Sequence, residues 1–336
     1  MVARLTCSNR SPTLPKATQP IMSTSHVHRI TKYDPADRDD RGAYRGSEDV
    51  SSDHGPVEAA YLAAVTAFAE DTGVTRLTIR DPALSGFVHF GVEPPINGHG
   101  LRGLFPPDLT GYHDGARITL DVGRELVRVM LRDNGAWCRL ESEDRFFVHV
   151  GYDQYMYIGS EQPCEHAVAL TAASGLFVEP LDGSPYDPDG DGPYESRPAD
   201  AAFWAEVAAL AARHGRVLLE EQFVGNHSRW HRLTADVTVP DLGPRALLSV
   251  WPDLSTDVRA VLRTMSPDFT GWVVVEHADG RIHSFHADGD DRAGLAEALA
   301  GVRAAILLPH TTDDHNPLLV AVQPDDDGIV RARWQI

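Results

Sequence analysis

Residues 246–308 read ALLSVWPDLSTDVRAVLRTMSPDFTGWVVVEHADGRIHSFHADGDDRAGLAEALAGVRAAILL. Apolar runs at 246–251, 271–277, 281–287 and 304–308 have the length of strands, and the stretches at 255–264 and 291–303 have the length and spacing of helices. The order βαββαβ is the split βαβ, or ferredoxin-like, arrangement. Such a unit hosts many unrelated functions, so the site rather than the fold must decide what the protein does.

Outward from this unit, residues 318–322 and 329–334 read as a closing β-hairpin around Asp325–Gly328. Upstream, Phe203, Val207 and Leu210 mark a helix over 201–213, followed by strands at 217–223 and 229–233. Residues 181–200 combine prolines, glycines and acids and read as an acidic linker. Before it, helices are expected at 56–71, 121–133 and 162–174. Strands are expected at 74–80, 87–92, 136–142, 145–151, 154–159 and 176–178, with a long loop at 93–119. Pro56 suits a first helical turn and Gly73 a helix end. Residues 26–55 are polar and aperiodic and read as an extended arm. The fold class is therefore α+β in two domains, 26–180 and 201–336, the second ferredoxin-like with an added hairpin. Residues 1–25 read as a disordered or mis-started leader, with Met22 as the expected start. Trp137-x3-Glu141-x2-Asp144 matches Trp272-x3-Glu276-x2-Asp279, a correspondence that either a decayed duplication or chance produces.

The chain of 336 residues carries 30 Lys and Arg against 49 Asp and Glu, a formal charge of −19. A field of that sign repels phosphate backbones and leaves room only for a local nucleic-acid site. No run approaches the ~18 apolar residues of a membrane span. Cys7, Cys138 and Cys164 form neither a metal-type pair nor an even disulfide set. The expectation is a reduced, cytoplasmic protein with no membrane contact.

Motifs that suggest chemistry fail on context. Gly98-x-Gly100-x-x-Gly103 is a literal dinucleotide fingerprint, but Pro94, Pro95, Pro106 and Pro107 stand where its strand and helix belong. Asp187-x-Asp189-x-Asp191 begins like a calcium loop, yet Pro198 occupies the position of the bidentate glutamate. His227-x3-His231, His26-x-His28 and His283-x2-His286 each lack a third ligand. Cys164-Glu165-His166 opens a helix but has no identifiable catalytic partner. His113 and Asp114 in the long loop name no reaction. No catalytic residue, metal or cofactor is expected.

Two segments run against the acidic field. Arg29, Lys32 and Tyr33 lie in the arm, and Arg229-Trp230-His231-Arg232 has no acid nearby in sequence. Guanidinium on phosphate with an aromatic ring on a base is how single-stranded RNA is held. The plainer reading is that Trp230 alternates into the core while Arg229 and His231 face outward. His28-Arg29-Ile30-Thr31-Lys32-Tyr33-Asp34-Pro35-Ala36-Asp37-Arg38-Asp39, Ser52-Asp53-His54-Gly55-Pro56-Val57-Glu58-Ala59-Ala60-Tyr61, Leu131–Arg139 and Arg229–Asp236 resemble a family of actinobacterial cytoplasmic proteins. Its members carry the bare label RNA-binding protein. The resemblance spans residue 28 to the C-terminus and implies RNA binding without catalysis. On the βαββαβ reading, Trp251 and Phe285 would be stacking platforms, although the RNP1 pattern is missing. The alternative is an acidic inhibitor or immunity-type module that binds a basic partner protein, its charge steering association.

Overall fold

The computed structural model describes residues 24–47, 55–84, 100–142, 145–186, 197–236, 238–309, 317–332 and 334. Within them the chain is mixed α+β, with six α-helices and three antiparallel sheets. The first sheet has seven strands: β1 (His26–Thr31), β2 (Arg76–Ala83), β3 (Arg117–Thr119), β4 (Trp137–Ser142), β5 (Phe146–Val150), β6 (Met156–Ser160) and β7 (Phe177–Leu181). Their spatial order is β3-β2-β4-β5-β6-β1-β7. One of its faces is covered by α1 (Pro56–Thr72), α2 (Leu120–Leu131) and α3 (Glu165–Ala173).

These helices form where capping and patterning agree. Pro56 occupies the first turn of α1, and Gly73 ends it with φ 67°, donating its N–H to the carbonyls of Ala69 and Glu70. Thr119 caps α2 by accepting from the N–H of Val122. Tyr61 and Phe68 of α1 are fully buried with Ile30, Ile79 and Leu140. Each such side chain stabilises the fold by about 1.5–3 kcal/mol through burial alone.

The polar stretch expected to be an arm begins as β1, hydrogen-bonded between β6 and β7. Alternation explains it. His28 and Ile30 face the helices, with the His28 ring 5.5 Å from Phe68, while Val27 and Arg29 face the other way. A histidine and an arginine inside the strand disguise the period of two.

The second sheet, in order β14-β10-β8-β9, comprises β8 (Arg216–Val224), β9 (His227–Thr234), β10 (Leu247–Pro252) and β14 (Leu319–Val322). The third, in order β12-β11-β13, comprises β11 (Thr270–Glu276), β12 (Ile282–Asp288) and β13 (Ala304–Pro309). Three further helices accompany them: α4 (Ala201–His214), α5 (Val258–Thr264) and α6 (Arg292–Ala298). Phe203, Val207 and Ala211 of α4 pack on one face of the four-stranded sheet. Its other face meets the three-stranded sheet through Leu218, Trp230, Trp251, Trp272, Val274 and Leu308. The helices α5 and α6 cover the far side of that second layer.

These pairings depart from the ferredoxin-like expectation. The first strand of the expected unit, β10, pairs with β8 and β14, and β11 alone is flanked by the other two. Leu248 and Val250 bury one face of β10 against the α4 side, and Trp251 enters the layer between the sheets. A strand buried on both faces belongs inside a layer stack, and β8, which is buried on both faces too, is the partner that matches it. Residues 329–332 likewise form no strand; a turn closes at Asp325–Gly328, and the tail is held by side chains. The expected strand at 87–92, the leader 1–23, Cys7 and most of the Asp187–Pro198 stretch lie outside the described residues.

The two halves share one apolar cluster, from the first sheet's helices through Phe203 and Val217 to Ala321. Backbone bonds join them as well: Leu84 N–H donates to Gly225 O at 2.9 Å, and Gly225 N–H to Pro82 O at 2.6 Å. Among the described residues no helix is long and apolar enough to cross a membrane.

Candidate functional site

The residues singled out in sequence fall in three places. Arg29 on β1 shares Glu179 of β7 with Arg38: the Glu179 carboxylate accepts from Arg29 Nε at 2.9 Å and from Arg38 Nη1 at 2.8 Å. Burial opposes the charge on Glu179, but these hydrogen bonds hold its pKa below the usual carboxylate value. Both guanidiniums lie near the Tyr155 ring, at 5.5 and 5.9 Å. Lys32 Nζ donates to Gln154 Oε1 and lies 5.1 Å from the centre of the Tyr33 ring, which packs on Tyr44 and Tyr155. Arg29, Lys32 and Tyr33 are therefore together, half-buried, on a tyrosine-rich surface.

Arg229 and Arg232 are neighbours in sequence but not in environment. Arg229 Nη2 donates to Glu221 at 2.6 Å, and its guanidinium lies 4.3 Å from the centre of the Phe223 ring. Arg232 bonds Asp253 at 2.8 Å and Glu276 at 2.9 Å. Trp230 enters the layer between the two sheets and donates its indole N–H to Ser284 at 3.1 Å. Trp251 lies in that same layer, whereas Phe285 packs toward α5 and α6 on the far side of the third sheet. Both faces of that sheet are covered, so Trp251 and Phe285 do not form one stacking platform.

Two features escaped the sequence reading. The first is a transverse row on the helix-free face of the seven-stranded sheet. In register it runs Glu179, Arg29, Tyr157, His149, Arg139 and Arg80. The segment after β7 covers it: the Tyr186 ring sits against Trp137, Tyr157 and His149, and Tyr186 O accepts from Arg139 at 2.8 Å. Arg80 bonds Asp114 at 2.8 Å, and Arg139 pairs with Asp81. His149 is fully buried and stacked on Phe147, with Nδ1 2.9 Å from Ser184 Oγ. Among the described residues its Nε2 has no hydrogen-bond partner. Burial, reinforced by the Arg139 charge, pushes the His149 pKa well below 6.5. A histidine kept neutral in the fold but free to protonate when unfolded makes stability fall as pH drops below about 6.5. The expected slope reaches about 1.4 kcal/mol per pH unit between that value and the folded pKa, and His149→Gln should reduce it. Urea midpoints at pH 7.5, 6.5 and 5.5 measure this; an unchanged pH profile in His149→Gln would contradict it.

The second feature is the pair Glu220-Glu221 in the middle of β8, whose carboxylates point to opposite faces. Glu221 is fully buried and accepts from Arg229, from the Gly243 N–H at 2.6 Å and lies 2.7 Å from His231 Nε2. Burial raises its pKa, but the His231 and Gly243 hydrogen bonds and the Arg229 charge outweigh burial and leave it lowered. Glu220 faces the layer between the sheets, directly across from Trp230. Its Oε1 accepts from Ser228 at 2.7 Å and its Oε2 from the Trp251 indole at 2.9 Å. No Arg, Lys or His pairs with it among the described residues. Burial raises its pKa, with Ser228 and Trp251 opposing.

Of the other motifs, Cys164 precedes α3 as a buried thiol whose pKa burial raises, the reverse of an activated nucleophile. Asp114 is engaged by Arg80 and Arg245, and His113 Nδ1 contacts Asp114 O. Among the described residues no group of three or more His, Cys, Asp or Glu side chains is placed to hold a metal ion. No protein-family model matches the chain, and no curated protein or solved structure matches it.

Proposed function

We propose that this chain is a binding protein whose partner is basic, most simply a protein rich in arginine or lysine. The observation that carries this reading is Glu220, a carboxylate beside two tryptophans that the described residues supply with neutral donors but no cation. The overall charge of −19 would steer a basic partner toward the surface. The arginines expected to meet RNA phosphates at 229 and 232 are instead engaged by Glu221, Asp253 and Glu276. A guanidinium already held by carboxylates is a poor phosphate ligand.

RNA binding is the second reading, favoured by one observation. Arg29, Arg38 and Lys32 share a surface with Tyr33, Tyr44 and Tyr155, and Glu179 pairs with both arginines. Rings beside cations suit single-stranded nucleic acid. The two readings separate in one experiment: fluorescence anisotropy of labelled nona-arginine and of labelled single-stranded RNA with the full chain, across a salt series. The expected result is peptide binding that weakens with salt and no RNA binding at low salt. RNA binding with a linear log–log salt slope that is lost in Lys32→Ala/Tyr33→Ala would overturn the first reading in favour of the second.

A further inference from the structure

The two faces of β8 carry the same kind of carboxylate in opposite states. On one face Glu221 holds the chain's own Arg229, whose guanidinium also rests on the Phe223 ring 4.3 Å away. On the other face Glu220 stands across from Trp230 and accepts from the Trp251 indole, with no arginine supplied by the described residues. An ionised carboxylate has about four acceptor positions, two on each oxygen. Ser228 uses one on Oε1 and Trp251 one on Oε2, which leaves one position on each oxygen. Paired positions of that kind match the two parallel donors of a guanidinium fork. Trp230, Trp251 and Ser228 are each partly exposed, so the carboxylate sits at the margin of the inter-sheet layer rather than deep within it.

We propose that Glu220, Trp230 and Trp251 form a receptor for one arginine side chain of the partner, repeating on the outer partner the arrangement that Glu221 and Phe223 make for Arg229. This rests on the basic-partner reading and adds to it a chemical selectivity. Lysine carries the same charge as a compact, strongly hydrated ammonium, and it can neither stack flat on an indole nor offer the carboxylate a planar pair of parallel donors. The neighbouring Arg232 does not compete, because Asp253 and Glu276 hold it.

The test titrates nona-arginine, nona-lysine and nona-citrulline into the full-length chain while following the Trp251 indole N–H resonance, assigned with Trp251→Phe. That proton touches the Glu220 carboxylate and so reports on it directly. The expected result is arginine-peptide binding about tenfold tighter than lysine-peptide binding, equivalent to about 1.4 kcal/mol, with a shift of the Trp251 signal and none from citrulline. Glu220→Gln should lower arginine binding to the lysine level, and Asp290→Asn, an exposed acid elsewhere, should not. Far-ultraviolet circular dichroism of each variant separates loss of binding from loss of fold. Equal binding of the two peptides, unaffected by Glu220→Gln, would overturn the receptor while leaving the basic-partner reading standing. No binding of either peptide at low salt would overturn both.

Discussion

Replacement of Arg245 by methionine is expected to destabilise the protein by about 3–5 kcal/mol, the cost of leaving a buried carboxylate without its partner. Arg245 bonds Asp114 at 2.9 Å and holds both oxygens of Asp325, at 2.8 and 2.9 Å. Asp114 belongs to the loop before β3 and is 5% exposed, and Asp325 belongs to the C-terminal turn. A chain of charges therefore runs from Arg80 through Asp114, Arg245 and Asp325 to Arg331, linking the seven-stranded sheet to the tail. Trp334 adds an indole hydrogen bond to Arg245 O at 2.8 Å. Methionine keeps the stem's bulk, so the loss is electrostatic rather than a cavity. The backbone at 245 has φ 57°, equally unfavourable for arginine and methionine, and cancels in the comparison. Arg80 still faces Asp114, which places the loss toward the lower end of the range. Thermal unfolding of the 336-residue chain should show a fall in Tm of about 4–7 °C. In a double-mutant cycle with Asp325→Asn the losses should be less than additive. Burial opposes the charge on Asp325, but Arg245 and Arg331 hold its pKa below the ordinary 3.8. Its contribution is thus present above about pH 4 and lost as pH falls through the lowered value. A shift in Tm under 2 °C, with additive losses, would show that the chain of charges does not join the halves.

How much of this was legible in the sequence varies with the physical signal. The helices at 120–131 and 201–214 stand where apolar spacing and capping residues place them, because each turns one face to a core. The helix at 56–72 is buried on most sides, and Pro56 and Gly73 mark its ends. β1 was hidden because its two faces carry His28 beside Ile30 and Arg29 beside Val27, so no residue alternation marks it. Sheet membership was hidden for another reason. The order βαββαβ fixes neighbours along the chain, but the partner of β10 is chosen by which layer buries both of its faces. At the site, alternation correctly separated Trp230 from Arg229 and His231. What it missed is that the second face is not solvent but the Glu221 carboxylate. The signal was present as two adjacent acids inside the apolar run Val217-Leu218-Leu219-Glu220-Glu221-Gln222-Phe223. Two carboxylates in a strand interior each need a partner, and among the described residues only Glu221 finds a cation.

Gly159→Ala is expected to cost about 1–3 kcal/mol, although it sits in a strand where alanine would ordinarily be neutral or better. Gly159 lies across from Phe147 on β5, on the covered face of the seven-stranded sheet. A Cβ there would stand 2.0 Å from Phe147 Cε1 and 2.4 Å from Cζ, well inside contact distance. The ring cannot simply swing aside: it is fully buried and stacked on His149, with centroids 4.2 Å apart. Movement of Phe147 must disturb His149, whose Nδ1 contacts Ser184, and with it the seat of Tyr186 over the row. The gain of about 0.4–1 kcal/mol from a stiffer unfolded chain is too small to offset this. Two readouts distinguish the steric account from a general weakness of the strand. Phe147→Leu, which removes the clashing edge, should recover part of the loss in the Gly159→Ala background, giving a coupling of at least about 0.5 kcal/mol. The His149 pKa, read from its ring proton shifts, should rise toward 6.5 in Gly159→Ala as water reaches the ring. Additive losses with an unmoved His149 titration would mean that Phe147 relaxes freely and that the row does not act as one packed unit.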